Sequence, residues 1–222
     1  MDQARDTEFD TILIGGREQR AIVIVDHDDT WPSKAASMAQ KIQDSLGPAA
    51  LSVEHIGSTS VPGLAAKPVI DMLLVVANID DEESYIVPME PIGLRLRVRE
   101  HGHRMLRTAE LDFHVHVLPA KFAEQIDYLD LRDWLRVSAA DRALYESTKR
   151  TLAENTWSDM NHYADAKSAI IQQILAHARN WRAGQPILNF EYPISINLLF
   201  FNCCDVEFKL LILVFAHFTN FT

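Results

Sequence analysis

The chain has 222 residues, 48% hydrophobic and 23% charged, with a formal net charge of −10. That is enough for one well-buried domain, and the balance is that of a globular protein, not a disordered or fibrous one. The acidic excess argues against a broad electrostatic grip on DNA or RNA, which needs many Lys and Arg at phosphates, but it leaves a local basic pocket open.

Residues 1–20 have weak periodicity and include Gly15-Gly16, which predicts a loose arm. Ala21 to Val25 reads as a short strand or extended entry. Trp31-Pro32-Ser33 opens a helix, with Pro in the first turn, where its missing N–H costs nothing. Ala35, Met38, Ala39, Ile42 and Leu46 keep helical spacing until Gly47-Pro48 stops it. Leu51, Val53 and Ile56 mark a strand that ends at Gly57, and Ser60 to Ala66 reads as a turn or short helix. VIDMLLVV, after Pro68, has the apolar continuity of a strand buried on both faces. Asp80 to Ile92 reads as a weak helix interrupted by Pro88 and Pro91. LRLRVRE (94–100) and LDFHVHVL (111–118) alternate with period two, as strands do. His101 and His103 fall between them, in an expected Gly-containing loop. Helices follow at 120–136, 139–155 and 159–182. Strands first and helices later predict an α+β domain with a helical half, spanning residues 21–183.

From Pro186 the composition changes: seven of the ten Phe lie here, together with both cysteines, and there is no Arg or Gly. The longest uncharged run, 13 residues after Lys209, is shorter than the ~17–25 residues needed to span a bilayer. Residues 184–222 therefore read as an apolar extension, and no membrane partner is expected. Cys203 and Cys204 are adjacent and make no disulfide framework. With an acidic, polar start (MDQARDTEFD), they predict a reducing, cytoplasmic setting.

The stretch EHIGSTSVPGLAAKPVIDML (54–73) carries the most specific chemistry. A strand ending in Gly-Ser and followed by a turn aims successive backbone N–H groups at one spot, which binds anions. Gly57, Ser58, Thr59 and Ser60 are the expected cradle, and Lys67 the cation beside it. Asp71 interrupts an apolar strand, where an ionised carboxylate is costly unless something binds it; a divalent metal is an economical partner. Period two puts Asp112, His114 and His116 on one strand face, as the wall of a polar site with metal ligands or a general base. Tyr163 and Lys167 are spaced i, i+4 and can reach one ligand together; Arg132 and Lys149 are further candidates on the helices. The sequence has no Gly-x-x-x-x-Gly-Lys-Ser/Thr loop, Gly-x-Ser-x-Gly elbow, HExxH or Cys-x-x-Cys, which argues against P-loop kinases and the common hydrolase and zinc classes.

These residues resemble the GrpB family, also known as UPF0157. The match lies in EHIGSTSVPGLAAKPVIDML, TWP near position 30, HVHV, LRDWLR and YADAKSAIIQQIL, and covers about residues 21–182. The resemblance implies a nucleotidyltransferase-like fold, a mixed sheet flanked by helices with its site at the Gly-Ser turn. It implies binding of a nucleotide or phosphate ester and transfer of a nucleotidyl group to a hydroxyl. Asp71, His114 and His116 would hold one Mg2+ or Mn2+, and Lys149, Tyr163 and Lys167 would close over the base or acceptor. Nucleotidyltransferases of this fold generally carry a second carboxylate two residues after the first, but this chain has Leu73 there. A two-metal displacement needs a clamp on both the attacking and the leaving oxygen, so the alternative is a non-catalytic nucleotide- or CoA-binding module. Members fused to dephospho-CoA kinase resemble such an accessory domain.

Overall fold

A computed structural model describes residues 3–184; the Phe-rich extension lies outside the described residues. Five strands form one mixed sheet: β1 (Ser52–Ile56), β2 (Ile70–Val76), β3 (Arg95–Glu100), β4 (His103–Arg107) and β5 (Phe113–Pro119). Their order is β1-β2-β5-β4-β3; β2 and β5 run parallel and every other pair is antiparallel. This is the expected mixed sheet flanked by helices.

IDMLLVV behaves as a doubly covered central strand should. Met72, Leu74 and Val76 pack under helix α2 (Trp31–Leu46), against Ala35, Met38, Ile42 and Leu46. Leu73 and Val75 face the other way, onto Ile56, Leu118 and Leu129 of α4 (Ala123–Val137). Asp71 is the one residue of the strand that is not fully buried. A further apolar cluster joins the loop after β1 to the helical half. Val61 and Leu64 pack on Leu135, on Tyr145 of α5 (Ala139–Ala153), and on Ile171, Ile174 and Leu175 of the last helix. The helices are thereby fixed over the Gly-Ser turn.

Four local expectations change. Residues 1–20 are not a loose arm throughout, because Gln3–Ile12 form helix α1. Phe9 and Leu13 are buried against Val98, and Arg5 makes two hydrogen bonds to Asp165, at 2.7 and 2.8 Å. Phe9→Ala should cost about 3 kcal/mol through the cavity it leaves; a urea titration reads the loss, and limited proteolysis should then cut within residues 3–20. Ala21 to Val25 forms no strand, only an isolated bridge between Val25 and Ala66. The region 80–92 is a string of short turns around α3 (Ile86–Met89). The expected helix 159–182 is two, α6 (Met160–Ala166) and α7 (Ser168–Gly184), separated at Lys167 with neither Pro nor Gly at the break. Among the described residues no helix is long and apolar enough to cross a membrane.

Candidate functional site

The site begins where β1 ends and β2 begins, with Ile56 paired to Asp71. Gly57 turns the chain at φ 70°, ψ −174°, a region essentially reserved for glycine. A Cβ there would meet Asp71 Oδ2 at 2.5 Å, so the missing side chain is what lets the carboxylate lie against the turn. Residues Ser58–Ser60 then form a 3-10 turn.

Of the expected cradle, Gly57 and Ser58 line a cleft of about 460 Å³, while Thr59 and Ser60 are buried. Thr59 Oγ1 lies 3.0 Å from His55 Nε2, and Ser60 Oγ donates to the Gly57 carbonyl at 2.6 Å. The Ser60 carbonyl accepts from Arg136 at 2.9 and 3.1 Å. Thr59 and Ser60 shape the turn and offer no hydroxyl to a ligand. Arg132 reaches the cleft wall, but its guanidinium is held by Glu54 at 2.9 Å, Asp133 at 2.7 Å and the His55 carbonyl at 3.2 Å. It braces α4 to β1.

Three lysines line the same cleft as Ser58, and one of them bonds it. Lys149, on α5, donates to Ser58 Oγ at 3.0 Å and to the Ala65 carbonyl; its ammonium also lies 4.8 Å from the centre of the Tyr145 ring. Lys67 and Lys167 stand 5.3 and 4.8 Å from the Tyr163 ring centre. Aromatic faces and carbonyls soften the burial of these cations without cancelling their charge. Burial lowers the Lys149 ammonium to about 7; nearby Glu146 and Asp71 oppose the shift, and Arg150 and Lys67 add to it. Lys167 also falls to about 7, through burial and then repulsion from Lys67 and Lys149, with Asp71 opposing. Burial lowers Lys67 too, and Asp71 again opposes. This is a nest of cations with one shared carboxylate among them. The break between α6 and α7 is what sets Lys167 here.

Asp71 Oδ1 lies 3.5 Å from His114 Nδ1 and 3.7 Å from His116 Nε2. Burial would raise this carboxyl, but hydrogen bonds from the two imidazoles outweigh it and hold the group below the usual carboxylate range. Burial lowers His114 despite the Asp71 contact. Asp112 does not join them. It precedes β5 and accepts from Thr108 Oγ1 at 2.6 Å, closing the turn between β4 and β5. Leu73 pairs with His116 across β2 and β5 and is 1% exposed, so a hydrocarbon fills the place of a second carboxylate. Among the described residues no three His, Cys, Asp or Glu side chains are grouped to hold a metal ion.

Two residues of the site escape the sequence reading. His103 opens β4 and is 4% exposed. Its Nε2 lies 3.0 Å from His116 Nδ1, and its Nδ1 2.5 Å from Glu100 Oε1. The signal was there: Glu100 pairs with His103 across a His101-Gly102 connection, with Gly102 at φ 70°. Two alternating runs separated by two residues that include Gly make a hairpin.

The chain is similar to proteins of one family. A family model described as GrpB protein matches residues 21–177. A UPF0157 protein of Streptomyces coelicolor is 49% identical over 166 residues, covering 75% of this chain and 89% of that protein. The crystal structure of conserved protein GrpB from Enterococcus faecalis superposes with a TM-score of 0.64 at 31% identity, over 72% of this chain and 99% of that one. A dephospho-CoA kinase of Mycolicibacterium paratuberculosis is 25% identical over 187 residues, covering 71% of this chain and 46% of that protein.

Proposed function

The chain belongs to the GrpB family, and on that premise we propose that its cleft binds a nucleotide or related phosphate ester and transfers a nucleotidyl group to a hydroxyl. One observation carries the reading: Lys149, bonded to Ser58, and Lys67 and Lys167, both against the Tyr163 ring, line one cleft with Asp71 as their shared counter-charge. An ammonium as buried as that of Lys149 is costly to desolvate, and an anionic ligand in the cleft would offset that cost. The phosphates would lie against Ser58 and the lysines, with the Gly57 turn admitting them closely. In the transfer, the acceptor oxygen bonds the α-phosphorus while the bond from that phosphorus to its bridging oxygen breaks. Pyrophosphate leaves, and the acceptor's proton passes to the imidazole–carboxylate group at Asp71.

Binding without transfer is the second reading. Leu73, buried opposite His116, favours it, and so does the supply of positive charge by lysines. Calorimetry with ATP, CTP and CoA, with and without Mg2+ or Mn2+, followed by assay for pyrophosphate, separates the two. Transfer predicts release of pyrophosphate; binding with no release leaves the ligand-binding module; no binding of any of the three removes both.

The lysines also fix a pH dependence. Bound phosphate raises the pKa of Lys149 and Lys167 above the value of about 7 that each has in the free protein. The complex then holds more protons than its parts, so affinity is greatest below that pKa and falls above it. Terminal phosphate, with a second pKa near 6, is already ionised over this range. ATP affinity should drop about tenfold or more from about pH 7 to about pH 9; a flat profile contradicts protonated lysines in the complex.

A further inference from the structure

The cleft extends past Asp71 and His116 to an inner end of different character. There its lining includes Glu100 and His103, with Leu13, Val98 and Met105 supplying apolar wall. The Glu100 side chain is 6% exposed. Its Oε1 accepts from His103 Nδ1, and its Oε2 has no hydrogen-bond partner among the described residues. A buried carboxylate oxygen left unmatched costs about 1–3 kcal/mol or more, and most such groups in folded proteins have a partner.

The charges around Glu100 indicate what kind of partner fits. Glu8 and the His116, Arg5 and Arg104 side chains act on it, and Glu100 in turn acts on Glu124. Arg5 is committed to Asp165 and Glu8, and Arg104 to Glu82 and to the carbonyls of Glu100 and His103. Neither guanidinium reaches the open oxygen. Burial first, then Glu8, pushes the Glu100 carboxyl up to about 7; burial and Glu100 bring Glu124 to about 7 as well. No cation thus reaches Glu100 Oε2, whereas Lys149 bonds Ser58 at the other end.

We propose that the inner end is a second subsite, which takes the protonated amine of a ligand at Glu100 Oε2, with its aliphatic stem along Leu13, Val98 and Met105. An ammonium supplies both the missing donor and the missing charge, and the bond it makes is of the stronger, charge-assisted kind. A hydroxyl supplies only the donor. The two ends together make the cleft selective for a ligand pair, or a single ligand, that is anionic at one end and cationic at the other.

Simple probes test this without any phosphate, so the result stands apart from the fate of the nucleotide reading. n-Butylamine and butan-1-ol are titrated into the full chain, with saturation-transfer NMR for binding and the His103 ring resonances for location. The amine should bind about tenfold more tightly than the alcohol and perturb His103, and Glu100→Gln should abolish that preference. Equal affinities, no binding of the amine, or a preference that persists in Glu100→Gln would overturn the proposal. Should Glu100→Gln fail to fold, the amine–alcohol comparison and the His103 shifts in the unaltered chain decide alone.

Discussion

Lys149→Met is expected to weaken pyrophosphate binding by about 10- to 100-fold, the range for loss of one charge-assisted hydrogen bond in a buried site. Lys149 is 2% exposed and bonds Ser58 Oγ and the Ala65 carbonyl. It is therefore fixed beside the expected phosphate and has no other ionic duty than its attraction to Glu146 and Asp71. The effect on stability should be smaller, because two opposing terms meet. Met leaves the Ala65 carbonyl without this donor, but it also removes an ammonium whose desolvation already lowers its pKa to about 7. Calorimetry with pyrophosphate gives the first quantity and thermal unfolding the second. An unchanged pyrophosphate affinity would remove Lys149 from the site.

Gly57→Ala should be strongly destabilising. Its backbone, at φ 70° and ψ −174°, lies where an L side chain is strained, and the added Cβ would sit 2.5 Å from Asp71 Oδ2 and 3.0 Å from Asp71 Cβ. Asp71 cannot step aside cheaply, because His114 and His116 hold its carboxylate and Ile56 is paired to it. Strain and clash together should cost about 3 kcal/mol, a fall of about 6–12 °C in Tm for a chain of this size. Differential scanning calorimetry reads this directly. A Tm within about 2 °C of the parent would mean that the turn relaxes freely and that the Gly57–Asp71 contact is not a constraint.

Much of the sheet was legible because burial writes itself into short windows. IDMLLVV and FHVHVL announce β2 and β5, and LRLRVRE announces β3; HRMLR does not alternate cleanly, which hid β4 behind the two-residue His101-Gly102 connection. The helix α1 was not legible, since Phe9 and Leu13 alone are too sparse a stripe. Its anchor is Arg5 on Asp165, a pair separated by 160 positions. A sequence window sees Arg5 as a surface charge. The strand face of Asp112, His114 and His116 was right for the histidines and wrong for Asp112. That residue stands just before β5, where the Thr108 hydroxyl captures it.

The candidate site divides the same way. Ser58, Lys67, Asp71 and the two histidines come from contiguous motifs and were named from them. Thr59 and Ser60 looked equivalent to Ser58 in sequence, but a 3-10 turn presents its residues in different directions and only Ser58 meets the cleft. Tyr163 and Lys167 meet as their i, i+4 spacing suggested, but Lys167 caps α6 where one continuous helix was expected. Glu100 and His103 depend on a hairpin that brings them beneath His116, and no local pattern marks a carboxylate as buried. Register adds what composition could not: Leu73 sits opposite His116, so an imidazole faces the position at which a second carboxylate was expected.

Ser58 and the cleft lysines form the proposed anion site. A crystal structure grown with pyrophosphate in the presence of a chelator tests it most directly. Phosphate oxygens should lie within hydrogen-bonding distance of Ser58 Oγ and of the ammonium groups of Lys149 and Lys167. Pyrophosphate bound away from these three groups, or a cleft left empty by it at saturating concentration, would rule the anion site out.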